Sequence, residues 1–113
     1  MHYSVYQLQV SKQSPAKVIG YKRDLMFDGS ESFRKEMLAH FAKVAEVDSS
    51  GVDLDDVFHI GNGYGDQNKI RRVSDRMHSV SVGDIIQTVD GYLWMVDPEG
   101  FECVGTFLIG EVA

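Results

Sequence analysis

The residues of this chain with the chemistry to make a site are four histidines, one cysteine, a cluster of aspartates and a glycine-rich loop. His2, His40, His59 and His78 form no His-x-x-x-His pair, and Cys103 has no second cysteine. Structural zinc draws on closely spaced ligand pairs, so no zinc signature is present. Cys103 with a histidine would be a nucleophile and its base. Flanked by Phe101 and Val104, it reads instead as a small buried hydrophobe. His40 reads as a partly buried helix residue. The loop Gly61-x-Gly63-x-Gly65 invites a phosphate, but it has neither dinucleotide spacing nor a Gly-Lys-Ser/Thr end. Asp53, Asp55 and Asp56 resemble part of a calcium loop. With Asp53 as the first position, the twelfth is Tyr64 rather than a glutamate. Acids at the positive end of a helix explain them more simply. The sequence therefore points to no catalytic residue, no cofactor and no metal ligand.

Charge is more informative once it is located. Seventeen acids and eleven bases leave a net −6. Residues 1–76 carry eleven of each, so this part is neutral. The remainder holds Asp84, Asp90, Asp97, Glu99, Glu102 and Glu111 and no Lys or Arg. Just before it lies the densest basic run, Lys69-Ile70-Arg71-Arg72, with Arg76 close by. Such asymmetry permits an electrically polar surface. Asp90, Asp97, Glu99 and Glu102, with Lys69, Arg71, Arg72 and Arg76, are the candidate partner-binding residues. Tyr92 and Trp94 share one face of a strand and could stack bases. A base-free segment does not hold a phosphate backbone, so direct nucleic-acid binding is not expected and Trp94 is assigned to the core.

The elements that must position these residues follow from periodicity. Tyr3–Val10 alternates as a strand, with one slip near Tyr6 that marks a bulge or burial on both faces. Residues 11–16 read as a loop, and Lys17–Tyr21 as a short second strand weakened by Gly20. Asp28 and Glu31 have capping-box spacing. Phe33, Met37, Leu38, Phe41, Val44 and Ala45 then fall on one helical stripe, predicting the main helix at about 31–47. Val52–Ile60 gives one or two helical turns, and Gly61–Asp66 a loop. Arg71–Met77 is helical or irregular. Ile85–Val89 and Tyr92–Val96 are strands joined at Asp90-Gly91, a two-residue hairpin signal. Both faces of Tyr92–Val96 are apolar, which predicts a central strand. Asp97-Pro98-Glu99-Gly100 is a further turn, and Phe101–Ile109 a last strand bent at Gly105. The fold class expected is α+β: an antiparallel sheet of about four to five strands packed against one main helix, with short additional helical turns. At 113 residues, without repeat or linker, it is a single domain spanning 1–113.

Leu54-Asp55-Asp56-Val57-Phe58, then Asn62, then Met77-His78-Ser79-Val80-Ser81-Val82-Gly83-Asp84-Ile85-Ile86, then Asp97-Pro98-Glu99-Gly100-Phe101 form a further pattern. It resembles YodL-like domains, with Val5-Tyr6-Gln7-Leu8 and Gly20-Tyr21 also similar. The glycine-rich loop and the basic segment to Arg76 depart from that family. The resemblance implies a module carried by phages, plasmids and conjugative elements, and implies no catalytic residues. Physically, Ser79 or Ser81 can bond local backbone, Gly83 can turn the chain and Asp84 can cap it before Ile85.

No run approaches the roughly 18 apolar residues of a membrane span, no signal peptide is visible, and a lone cysteine suits a reducing compartment. The function expected is that of a small non-catalytic, cytoplasmic accessory protein of a phage or mobile element, acting by binding a host or element protein. An acidic DNA mimic that inhibits a host protein is the first alternative. A small enzyme with an unrecognised site is the second. Self-association into a homodimer is compatible with the sequence.

Overall fold

A computed structural model describes residues 1–10 and 15–106. Six strands form one sheet: β1 (His2–Leu8), β2 (Phe41–Asp48), β3 (Ile70–Arg72), β4 (Ile85–Gln87), β5 (Tyr92–Val96) and β6 (Phe101–Thr106). Their order is β3-β2-β1-β4-β5-β6, and every neighbouring pair is antiparallel. Helix α1 (Pro15–Asp28) runs into a 3-10 turn at Gly29–Ser32, a second 3-10 stretch covers Lys35–His40, and helix α2 spans Leu54–Gly61. The α+β class is as expected, with six strands. Among the described residues, no helix is long and apolar enough to cross a membrane.

Alternation along the central strands sorts the core into two layers. Tyr6, Leu8, Ile85, Leu93 and Met95 face α1, where they meet Val18, Tyr21, Leu25 and the 3-10 residue Met37. Val5, Ala45, Val47, Ile86 and Val96 face the other way and meet Val57 and Ile60 of α2, together with Val80. The sheet is therefore covered on both sides.

The main helix lies elsewhere than at 31–47. That segment forms 3-10 turns and then strand β2. The error has a physical source. Lys43 pairs with Tyr6 and Ala45 with Val5, which leaves Val44 as the extra residue of a bulge. A bulge brings two successive side chains to one face, and Val44 and Ala45 are both fully buried in the same cluster. Their spacing from Phe41 then imitates a helical stripe. The slip expected near Tyr6 is the other side of this bulge.

The segment Lys17–Tyr21 is part of α1, not a strand. Pro15 is its first residue, where a fixed φ and a missing N–H do no harm. Asp28 does not cap a following helix. It ends α1, and its carboxylate accepts the Ser32 hydroxyl at 2.8 Å. By contrast, the aspartates do stand at the start of helix α2, as expected, and two of them form the box that the spacing assigns to Asp28 and Glu31. Asp53 accepts from the Asp56 N–H at 2.9 Å and Asp56 accepts from the Asp53 N–H at 3.0 Å, a reciprocal cap.

The β4–β5 hairpin forms with a longer loop than two residues. Thr88 N–H donates to Tyr92 O and Gly91 N–H to Thr88 O, each at 2.9 Å. Three residues, 89–91, thus lie between the closing pair, and Gly91 supplies the positive φ of 94°. Strand β5 is second from the edge rather than central. Leu93 and Met95 are buried beneath α1, while Tyr92 is 44% exposed and Trp94 only half-buried on the opposite face. Strand β6 carries its bulge at Val104, beside Gly105, since Gly105 pairs with Leu93 and Cys103 with Trp94. The remainder of the predicted last strand, 107–109, lies outside the described residues.

Candidate functional site

The candidate residues separate to opposite ends of the sheet. Arg71 and Arg72 lie on edge strand β3, with Lys69 just before it, and Glu102 lies on edge strand β6. Five strand spacings of about 4.8 Å put these edges roughly 24 Å apart. The charge asymmetry of the sequence is thus a spatial one.

Much of the basic edge is engaged. Glu46 of β2 accepts from both Lys43 and Arg71, and these two donors pull its carboxyl down to about 2. Lys69 Nζ donates to Ser50 O at 3.0 Å. Arg72 and Arg76 are exposed. Arg72 lines a polar cleft of about 490 Å³ with Gly61, Asn62, Gly63, Met77, His78 and Ser79. His78 and Ser79 do not make a nucleophile–base pair. The His78 Nδ1–H donates to the Ser79 carbonyl at 2.8 Å, and its Nε2 faces Lys22 Nζ at 3.5 Å. The glycine loop follows the C-terminus of α2, the negative end of that helix, which repels rather than cradles a phosphate.

At the other end, three acids of the last third meet Asp28 at the end of α1 and Glu31 of the 3-10 turn that follows it. Asp28, Glu31, Asp97, Glu99 and Glu102 surround an open cleft of about 590 Å³, together with Phe27, Ser30 and Pro98. What assembles it is Asp97. Its carboxylate accepts the Ser30 N–H at 2.7 Å and the Ser30 hydroxyl at 2.8 Å, clamping the end of α1 onto the β5–β6 turn. Gly29 permits the approach. Its φ is 62°, and a Cβ there would meet the Asp97 carboxylate and lie 2.9 Å from Pro98. Asp97 is therefore a structural residue. Glu99 and Glu102 are exposed, and among the described residues no base lines the cleft. Asp90 does not join this group. It lies in the β4–β5 loop, accepting from the Thr88 hydroxyl. Among the described residues, no three His, Cys, Asp or Glu side chains converge as metal ligands, so the five acids form a charged wall rather than a coordination shell. Cys103 is exposed on β6, contrary to its reading as a buried hydrophobe, because it falls beside the bulge on an edge strand.

One buried polar junction was not singled out as such from the sequence. Gln7 of β1 is completely buried, and Asp84 is 5% exposed. Gln7 Nε2 donates to Asp84 Oδ2 at 3.0 Å and to His78 O at 2.9 Å, while the His78 N–H donates to Gln7 Oε1 at 3.2 Å. The Ser81 N–H reaches the same Asp84 oxygen at 2.9 Å. Burial pushes the Asp84 carboxyl up to about 6, against the lowering pull of these bonds and of His78 and Lys22. Asp84 does cap the turn before β4, as the sequence indicates, and Gly83 turns the chain with φ 96°. The signal for Gln7 was a polar residue inside an otherwise apolar strand. Asn62 closes the same segment onto α2, donating to Phe58 O at 2.7 Å and Val80 O at 3.0 Å.

Comparison of the chain with protein-family models, with curated proteins and with solved structures finds no match.

Proposed function

We propose that this chain is a non-catalytic accessory module that binds a protein partner through the acid-lined cleft at the end of α1. One observation carries the reading: five carboxylates gather there, with no base among the described residues that line the cleft, beside Phe27, which is 78% exposed. Uncompensated charge beside an exposed aromatic is the composition of a surface that meets a basic, partly apolar segment. The resemblance of the Ser81–Ile86 block and of Gly100-Phe101 to YodL-like domains supports a phage or mobile-element setting, in the cytoplasm of the host. The structural work of Asn62, Ser81, Gly83 and Asp84 agrees with a block that builds a fold rather than a reaction centre. A DNA mimic is less well supported, because Asp90 and Asp84 stand apart from the cleft acids instead of continuing them in a phosphate-like row.

The test is calorimetric titration with a short peptide of alternating Arg and Phe, and with its Glu–Phe counterpart. The Arg peptide should bind, weaken with salt, and lose at least about tenfold in affinity when Glu99 and Glu102 are both replaced by Lys. Asp97 is left intact in this variant, since it holds the fold. Equal binding of the two peptides, or no response to the double reversal, would remove the cleft as the site.

A further inference from the structure

Helix α1 is apolar on two sides. Val18, Tyr21 and Leu25 face the sheet. On the outer side Ile19 and Met26 are each 55% exposed and Phe27 is 78% exposed. Lys22 and Arg23 lie between them in sequence, and Ile19, Lys22, Arg23, Met26 and Phe27 line a groove of about 360 Å³. A solvated helix face ordinarily carries polar residues, so three large apolar side chains in one stripe mark a covered surface. Phe27 also lines the acid-walled cleft. A cationic apolar groove and an acidic cleft therefore adjoin, with one aromatic ridge common to both.

We propose that the occupant of this face is a second copy of the chain, docked about a two-fold axis that passes close to Phe27. Such an axis exchanges the two sides of the ridge. It lays the exposed Arg23 of each copy toward Glu31, Glu99 and Glu102 of the other, and it buries Met26 and Phe27 of both. An isologous interface needs a patch that complements itself, and adjacent opposite charges around an apolar centre meet that need. Charge also selects the register. Crossing the helices at Arg23 would oppose like charges, whereas crossing at Phe27 opposes unlike ones. The inference rests on the reading of the cleft as a receptor for basic surfaces and identifies its basic ligand in the free protein. An outside partner must then displace the second copy.

The experiment is sedimentation of the full chain at low salt from about 10 μM to 1 mM, a range suited to a small interface. The mass should rise from 12.7 kDa toward twice that value, and added salt should reverse the rise. Phe27→Ser and Arg23→Glu should each weaken dimerisation about tenfold or more, with circular dichroism unchanged because both side chains are exposed. The double variant Arg23→Glu with Glu31→Arg should restore the dimer. A mass that stays at 12.7 kDa throughout, or a dimer indifferent to Phe27→Ser and Arg23→Glu, overturns the proposal. Titration of the Arg–Phe peptide at concentrations below the dimer range reads the cleft separately. Peptide binding by a chain that never dimerises would sink only the dimer. A chain that neither dimerises nor binds peptide would sink both.

Discussion

The buried junction around Asp84 and the open cleft around Asp97 use the same chemistry to different ends. Each has a carboxylate from the C-terminal third that accepts a backbone N–H, with a positive-φ glycine nearby. Asp84 is sealed, and its neighbours Gln7 and Ser81 leave nothing for solvent to recognise. Asp97 ties α1 to the sheet at the surface and so holds Asp28, Glu31, Glu99 and Glu102 side by side. Burial turns a charge into a cost of folding. Exposure turns a fold-making contact into the frame of a surface. Glu46 is a third case, an acid at the opposite edge whose charge Lys43 and Arg71 already consume. Only the uncompensated acids remain for a partner.

Three measurements sharpen this contrast. The largest effect belongs to Asp84. Its folded pKa of about 6 stands above the ordinary 3.8, so the folded state holds the proton more tightly. This favours folding fully below pH 3.8 and is lost as pH rises through about 6. Asp84→Asn keeps an oxygen for Gln7 and Ser81 but does not titrate. The stability of the wild type minus that of the variant should therefore fall by about 2 kcal/mol between pH 4 and pH 7 in urea melts. A constant difference would show that the junction is wetter than the fold implies.

Asp97→Ala comes next. It orphans the Ser30 N–H and loosens α1 from the turn, at a cost of about 1–3 kcal/mol, whereas Glu99→Gln should stay within about 0.5 kcal/mol. Equal effects of the two substitutions would erase the distinction between the clamp and the acids it displays. The smallest effect lies at the paired edge. The folded pKa of Glu46 is lowered, so its contribution is present above about pH 4.5 and lost as pH falls through about 2. Glu46→Gln should cost about 0.2–1 kcal/mol at pH 7 and progressively less as pH falls toward 2, as exposed pairs do.

Local signals with a single physical meaning were legible in the chain. Asp53 and Asp56 cap α2 because the box is a contact three residues long. The β1 strand, the turn at Asp97–Gly100 and the place of the turn at Asp90-Gly91, though not its length, belong to the same kind, since each depends on neighbours in sequence. The β2 segment was misread because a bulge there borrows helical spacing, and only the pairing of Val5 with Ala45 exposes it. Helix α1 escaped because Ile19, Met26 and Phe27 erase the contrast between its two sides. Its second apolar face reads as noise until the sheet is seen to cover only the first.

The candidate site divides in the same way. Residue types and their order determined that the net charge is negative and falls in residues 77–113. Which acids meet was decided only by tertiary structure. Asp28 and Glu31 joined Glu99 and Glu102 because Asp97 reaches 67 residues back to Ser30. Asp90 was left behind because its loop and the Asp97 turn lie at opposite ends of strand β5, and Asp84 was withdrawn because Gln7 takes it inward. Long-range hydrogen bonds and burial set those distances, and neither is encoded within the span of residues that a local pattern can read.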